Sequence, residues 1–230
     1  GLIVASSTAT GVPVPVSGSF AAGDVPAAVT PDGRFVAFCG AALASATLGI
    51  PDSNGTPELY VRDMQTGALS LVTYNAAGTA AAGGCEGTPS ISDNGRVVAF
   101  RSAVPASSYV GSTIDTNGVP DLFVRDRQLN VTRLVSHSFD LMQVATGVAS
   151  APVVSPNGRF VAFTSTATSL VSAFVNANGA APDLYVRDLD ANDTVLATRA
   201  VIVVLGFAIG FVMHRARLCF SRAFREPFMT

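Results

Sequence analysis

Residues 88–136 read "TPSISDNGRVVAFRSAVPASSYVGSTIDTNGVPDLFVRDRQLNVTRLVS", four short apolar runs separated by turn or loop signals. The same passage occurs upstream as "AAVTPDGRFVAFCG…DSNGTPELYVRDMQTGALSLVT" and downstream as "PVVSPNGRFVAFTS…NANGAAPDLYVRDLDANDTVLAT". Its matching arginines, Arg34, Arg96 and Arg159, lie 62 and 63 residues apart. A fixed period of this kind is typical of a solenoid or a propeller.

Each repeat unit is predicted to form four antiparallel strands. "RFVAF" and "ELYVRD" are rich in strand-forming residues, and Gly, Pro, Asn and Asp bound them. An Asp-Gly or Asn-Gly pair between the first two runs predicts a tight hairpin. Apolar residues on both faces of a strand favour a sheet packed between two others, as in a β-propeller blade. Tandem β-sandwiches are the alternative, but they would show cleaner alternation of apolar and polar residues.

The repeat also carries a family resemblance. "SPNGRFVAF" followed by "PDLYVRD" resembles the TolB-like, WD-type propeller repeat of bacterial exported proteins, over about residues 20–198. The resemblance implies a propeller fold and export from the cytoplasm. It implies little about activity, because one fold carries many functions.

The predicted fold class is therefore all-β, a partial β-propeller of three four-stranded antiparallel blades followed by one C-terminal hydrophobic helix. Three blades do not close a ring, so further blades are expected in a longer protein, most simply before the first. The predicted segments are 1–25, the end of a preceding blade and a loop; 26–87, 88–150 and 151–199, the three blades; and 200–230, the helix with a basic flank.

The connections between strands fall into two sets. In an up-and-down blade, the links from strand one to two and from three to four share one rim, and here they are short. The links from strand two to three and from blade to blade share the opposite rim, and here they are long. Binding residues tend to lie on loops held by a rigid scaffold. The rim with the long loops is therefore the predicted binding surface.

The pattern breaks near Ala200, where a charge-free apolar run reaches Met213 and an arginine cluster follows. A Gly206–Gly210 pair for helix contact and the positive-inside rule favour a membrane helix over residues 200–220. A packed soluble helix is the alternative, since fourteen residues span only about 21 Å. A membrane helix would sit in the inner membrane with its basic end cytoplasmic and the blades outside.

The same tail resembles the first helix of the YeeE/YedE family, which transports thiosulfate or related sulfur compounds. The rest of such a transporter is not present in this sequence, so the join is either a genuine fusion or a splice of two unrelated genes. The residues that carry this resemblance are Gly210, Phe211, Arg215, Arg217, Cys219, Phe220, Ala223, Phe224 and Arg225.

Composition and cysteine content limit the classes of function that the chain could have. The net charge of −2 provides no basic surface for nucleic acid. Cys39 ends the second strand of the first unit, and Cys85 precedes the first strand of the second unit. Both should lie at the rim with the long loops, so a disulfide between them is one possibility in an oxidising compartment. Two unpaired cysteines are the other.

An acidic loop before each third strand is the candidate metal site. Oxygen ligands at alternate positions around a Gly turn suit a hard cation such as Ca²⁺. The loops lack the acidic first and twelfth positions of an EF-hand, and the alternative is an Asx-type turn that caps the strand. No other cofactor is expected. The candidate ligands are Asp52, Asn54, Glu58, Asp115, Asn117 and Asp121.

Other polar residues are given structural roles. The Arg-Asp pair that ends each third strand recurs in every unit, which indicates an Asp bound to the next turn and an Arg between blades. His137 lies in a polar loop and is predicted to be solvated. The sequence contains no G-x-S-x-G, H-E-x-x-H or C-x-x-C motif, so no catalytic residue is assigned.

Three functions follow from these observations. The first is a non-catalytic exported scaffold that binds a protein or polymer through the long loops. The second is a fragment of a YeeE/YedE-like membrane transporter. The third is a propeller hydrolase whose catalytic part lies elsewhere.

Overall fold

The computed structural model describes residues 5–7, 13, 26–40, 43–111, 115–140, 144–172 and 180–197. Within them the chain forms twelve strands and two short helices. The first sheet has β1 (Ala27–Val29), β2 (Phe35–Gly40), β3 (Glu58–Asp63) and β4 (Leu69–Leu71); the second has β5 (Glu86–Ile91), β6 (Val97–Ser102), β7 (Asp121–Asp126) and β8 (Val131–Leu134); the third has β9 (Ala149–Val154), β10 (Phe160–Ser165), β11 (Asp183–Asp188) and β12 (Asp193–Leu196). The helices are α1 (Leu43–Leu48) and α2 (Ser107–Val110).

Every sheet is antiparallel, with its four strands in chain order. The second and third strands pair in the same register each time: Phe35 faces Asp63, Val97 faces Asp126 and Phe160 faces Asp188. The "VAF" and "YVRD" segments are therefore neighbours in one sheet, as the repeat predicts.

A glycine turn joins the first two strands of each sheet. In the second sheet, Ser92 Oγ donates to Asn94 Oδ1 at 2.7 Å and also accepts from the amide of Val97 at 2.9 Å. Gly95 completes this turn with φ = 70°, a left-handed conformation that glycine adopts without steric cost. Gly33 does the same in the first sheet, with φ = 73°.

The sheets stack face against face, and the middle sheet is buried on both faces. In β6, Val98 and Phe100 pack towards the first sheet, whereas Val97 and Ala99 pack towards the third. This explains why the strand is continuously apolar, and it confirms the predicted burial on both faces. The interface between the first and second sheets contains Ala37, Cys39, Leu59, Val61 and Phe123. The interface between the second and third sheets contains Leu122, Val124, Val161, Phe163 and Tyr185.

Polar contacts reinforce both interfaces at equivalent positions. Between the first two sheets, Arg127 Nη2 donates to Ser70 Oγ at 2.9 Å. Between the second and third, Arg133 Nη1 donates to the carbonyl oxygen of Leu189 at 3.0 Å. Ser70 and Arg133 occupy the same place in the fourth strand, and Arg127 and Leu189 each follow the aspartate that ends the third strand.

The helices lie in the links from second to third strand, where the sequence analysis predicted only loops. Leu43 and Ala44 of α1 are buried against Phe38, Tyr60 and Leu71 on the outer face of the first sheet. Tyr109 of α2 packs between the first two sheets, and its ring centroid lies 4.7 Å from that of Phe123 and 5.5 Å from that of Phe100. Such short helices depend on tertiary packing rather than on their own propensity.

Candidate functional site

The long loops form what we name the loop rim, defined by the described residues of 43–57, 74–85, 103–120, 137–148 and 166–182. Cys39 and Cys85 form a disulfide at its base, with Cα atoms 5.9 Å apart. The bond joins the end of β2 to the residue before β5, so it links two neighbouring sheets.

A buried carboxylate organises the loop rim in the first sheet. Glu58 is fully buried, accepts from Asn54 Nδ2 at 2.8 Å and also accepts from the Thr73 hydroxyl. Burial raises its pKa. Asn54 Oδ1 in turn accepts from the amide of Thr56 at 2.7 Å, which is an Asx turn. Glu58 therefore fixes the loop to the ends of both β3 and β4.

The second sheet repeats this arrangement with a shorter acid. Asp121 is buried and accepts from Ser136 Oγ at 2.9 Å. Asn117 Oδ1 accepts from the amide of Val119 at 2.9 Å, while its Nδ2 donates to the carbonyl oxygen of Ala145 at 2.8 Å. Burial raises the pKa of Asp121 to about 6.

These contacts bear on the predicted calcium ligands. Asn54 and Asn117 turn their amide nitrogens towards Glu58 and Asp121, whereas a cation would need oxygens. Asp115 accepts from the amide of Ala106 at 3.0 Å. Over the described ranges, no three His, Cys, Asp or Glu side chains form a group that could hold a metal ion. In the structure these residues form Asx turns and strand caps, and Asp52 lies beside the first of these turns. Calcium binding stays a prediction.

Replacing Asp121 with asparagine is expected to raise stability above pH 6. The folded pKa of Asp121 lies above its unfolded value, so the native state holds a proton that the unfolded chain releases. The carboxyl therefore contributes less stability as pH rises from about 4 to about 6. Asparagine removes this loss and keeps an acceptor for Ser136. We expect Asp121→Asn and the parent to differ little at pH 4 and by about 3 kcal/mol at pH 7 in urea unfolding.

Asp126 provides a control of opposite sign. Desolvation alone would raise its pKa, but the Arg96 guanidinium and the backbone amides of the turn together lower the pKa below its ordinary value. Asp126→Asn should therefore lose stability relative to the parent as pH rises through the normal range of an aspartate. A constant difference between Asp121→Asn and the parent at all pH values would contradict the assignment of a raised pKa.

His137 corrects an expectation. The sequence analysis predicted a solvated side chain, but His137 is buried, and its Nδ1 lies 2.8 Å from the carbonyl oxygen of Ser138. Burial lowers its pKa. The polar sequence around His137 gave no sign of this burial.

The opposite rim, which we name the turn rim, comprises turns 31–34, 64–68, 93–96, 127–130, 156–159 and 189–192. Each aspartate that ends a third strand accepts two amides of the following turn, as predicted. The sequence analysis missed the ion-pair partner of each of these aspartates, which is the arginine that follows the glycine turn and lies across the sheet. The ion pairs are Arg34–Asp63 at 2.9 Å, Arg96–Asp126 at 2.6 Å and Arg159–Asp188 at 2.7 Å.

Two of the three arginines of the Arg-Asp pairs lie between sheets, as the sequence predicts, whereas Arg62 in the first sheet donates to the carbonyl oxygens of Ala5 and Ser7. Arg125 is buried, and its guanidinium lies 5.0 Å from the ring centroid of Tyr74 in the preceding link. Arg187 is buried beside the second sheet and donates to Thr194 Oγ1 at 3.0 Å. Burial lowers the pKa of Arg187 to about 10, which leaves it charged at neutral pH.

Taken together, these features define a protein class: three consecutive four-stranded blades of a β-propeller, stacked face to face. No protein-family profile matches the chain, and no curated protein matches it.

The chain is similar to several solved β-propeller structures. TolB from Acinetobacter baumannii is 18% identical, with a TM-score of 0.43 over 82% of this chain and 33% of that one. The β-propeller domain of the Trilobed protease from Pyrococcus furiosus is 11% identical, with a TM-score of 0.44 over 81% and 43%. A putative TolB from Agrobacterium tumefaciens is 15% identical, with a TM-score of 0.42 over 76% and 50%. The chain thus spans a third to a half of these proteins.

The predictions for the tail fall on residues 200–230, which lie outside the described residues, as does the resemblance to YeeE/YedE transporters. Among the residues that are described, no helix has the length and apolar character needed to cross a bilayer.

Proposed function

We propose that the chain is a non-catalytic scaffold that binds a protein or polymer through the loop rim, outside the cytoplasm. The observation that supports this proposal is the way in which the loops of the loop rim are held. Its loops are anchored by buried groups at their bases, while their tips are exposed. A rigid scaffold with exposed loops is a common design for binding.

The anchors come from two kinds of contact. The Cys39–Cys85 disulfide links two blades, and Glu58 and Asp121 each bind the loop before their own strand. None of these groups is available to a ligand, because all four side chains are buried. Their role is therefore to hold the loops. Disulfides persist in oxidising compartments, which supports export.

Two of the tips consist of small and polar residues, whereas the link between the second and third blades exposes Phe139 and Val148. Residues 53–56 and 76–79 are exposed, and they contain only Ser, Asn, Gly, Thr and Ala. Such tips provide backbone and hydroxyl hydrogen-bonding groups with little side-chain entropy to lose on binding. This composition suits a hydrogen-bonding protein surface or polymer more than an apolar small molecule.

Site-specific photo-crosslinking tests the proposal. A photoreactive amino acid would replace Thr56 or Thr79 at the loop rim, and Gln65, exposed at the turn rim, would serve as the matched control. We expect the two loop-rim positions to capture the same discrete partner in intact cells, as measured by mass spectrometry. Equal capture from all three positions, or from Gln65 alone, would remove the loop rim as the binding surface.

A further inference from the structure

A cleft of about 240 Å³ lies at the turn rim, between the second and third blades. It is on the opposite side of the molecule from the loop rim, so what it binds is independent of the function proposed above. The residues that matter to the argument are Arg96, Leu129, Val131, Arg133, Arg159 and Leu189.

Exposed apolar side chains form one part of the cleft. Leu129 is 55% exposed and Val131 is 42% exposed, although both are large aliphatic residues. Leu129 lies in the turn, Val131 is the first residue of β8, and both line the cleft together with Leu189. Exposed apolar surface rimmed by charge is typical of a contact site.

Charged side chains form the other part, and one arginine among them has no ionic partner in the described part of the chain. Arg96 binds Asp126, and Arg159 binds both Asp188 and Asp190, the latter at 3.5 Å. Arg133 makes no ion pair with any described residue. Its guanidinium donates one hydrogen bond, to the carbonyl oxygen of Leu189, and its other donors are not used by the described residues.

The position of Arg133 distinguishes this blade from the others. The equivalent residue is Ser70 in the first blade and Val195 in the third, each opposite the central valine of the third strand. An arginine here is therefore not a requirement of the repeat. A guanidinium with unused donors binds a carboxylate through paired hydrogen bonds.

We propose that the cleft binds a segment of a partner protein in which a carboxylate lies next to an aliphatic side chain. The carboxylate binds Arg133, and the aliphatic group covers Leu129 and Val131. Arg96 and Arg159 stay paired with their own aspartates at the edges, so Arg133 is the group that binds the carboxylate.

N-acetyl-L-leucine is the probe, because it carries one carboxylate beside one isobutyl group. The measurement is an NMR titration of the whole chain, following the methyl groups of Leu129 and Val131 and the Nε of Arg133. We expect saturable shifts at all three residues and weaker binding of N-acetyl-L-leucinamide and N-acetylglycine, which each lack one of the two groups. Arg133→Ala should weaken binding about tenfold, and Arg133→Lys should recover part of it.

Controls separate binding from structural damage. Val29→Ser replaces another exposed aliphatic residue, on β1, and should leave binding unchanged, whereas Leu129→Ser should weaken it. No saturable shift in the parent would overturn the proposal. Equal binding of N-acetyl-L-leucinamide would also overturn it. Equal binding of inorganic polyphosphate would overturn it and point to a polyanion as the ligand. Shifts that depend on protein concentration without any probe would overturn it and point to a second copy of the chain.

Discussion

Alanine at position 95 is expected to lower the free energy of unfolding by about 3 kcal/mol, whereas alanine at position 33 should cost about 1 kcal/mol. Both glycines have positive φ, so both substitutions force a side chain into a left-handed conformation. A Cβ at Gly95 would lie 2.4 Å from a ring carbon of Phe35 in the preceding blade, whereas a Cβ at Gly33 meets nothing within 4 Å. The measurement is denaturant unfolding of both variants and the parent.

The difference between the two variants isolates contact between blades. Truncating Phe35 removes the clash, so Phe35→Ala and Gly95→Ala should be non-additive, and the double variant should recover part of the loss. Equal destabilisation by the two glycine substitutions would show that the first blade does not pack on the turn of the second.

Removing the Cys39–Cys85 disulfide should cost about 3 kcal/mol. The bond closes a long loop, with a sequence separation of 46, and so restricts the unfolded chain. Alanine suits both positions, since both cysteines are buried and serine would leave a hydroxyl in an apolar cluster. The measurement compares denaturant unfolding of the double alanine variant with that of the parent, under oxidising conditions.

Reductant provides the second arm of that experiment. It should destabilise the parent and leave the double variant unchanged, and intact mass should show the parent gaining two hydrogens. A parent that is insensitive to reductant and no more stable than the double variant would contradict a disulfide in the folded protein.

The sequence predicted the blades well, because the repeat combines local signals that agree. The glycine turn fixes the first hairpin, and the apolar runs fix which segments are strands. Ion pairs such as Arg96–Asp126 were missed, although pairing the second and third strands as an antiparallel ladder would have placed Val97 opposite Asp126. Arg96 and Asp126 are 30 residues apart in the chain, and no local rule specifies the register that brings them together.

The loop rim was predicted only in outline. The Asx turn at Asn54 follows from its Asn-Gly pair, and the sequence analysis had weighed it against calcium. The burial of Glu58 and His137 could not be predicted, since both follow polar loop sequence and their burial depends on the folded arrangement of the loops. The cleft beside Arg133 was missed for the same reason, because it exists only between two blades.

The polar contacts between blades limit how this repeat can be re-engineered. Arg127 and Arg133 both belong to the middle blade, one reaching backward to Ser70 and the other forward to the backbone of the third blade. An array built by concatenating copies of the middle blade would bring Arg133 of each copy towards Arg127 of the next, two cations where one hydrogen bond now forms. Designed arrays would therefore need a serine or a leucine at one of the two positions in every junction.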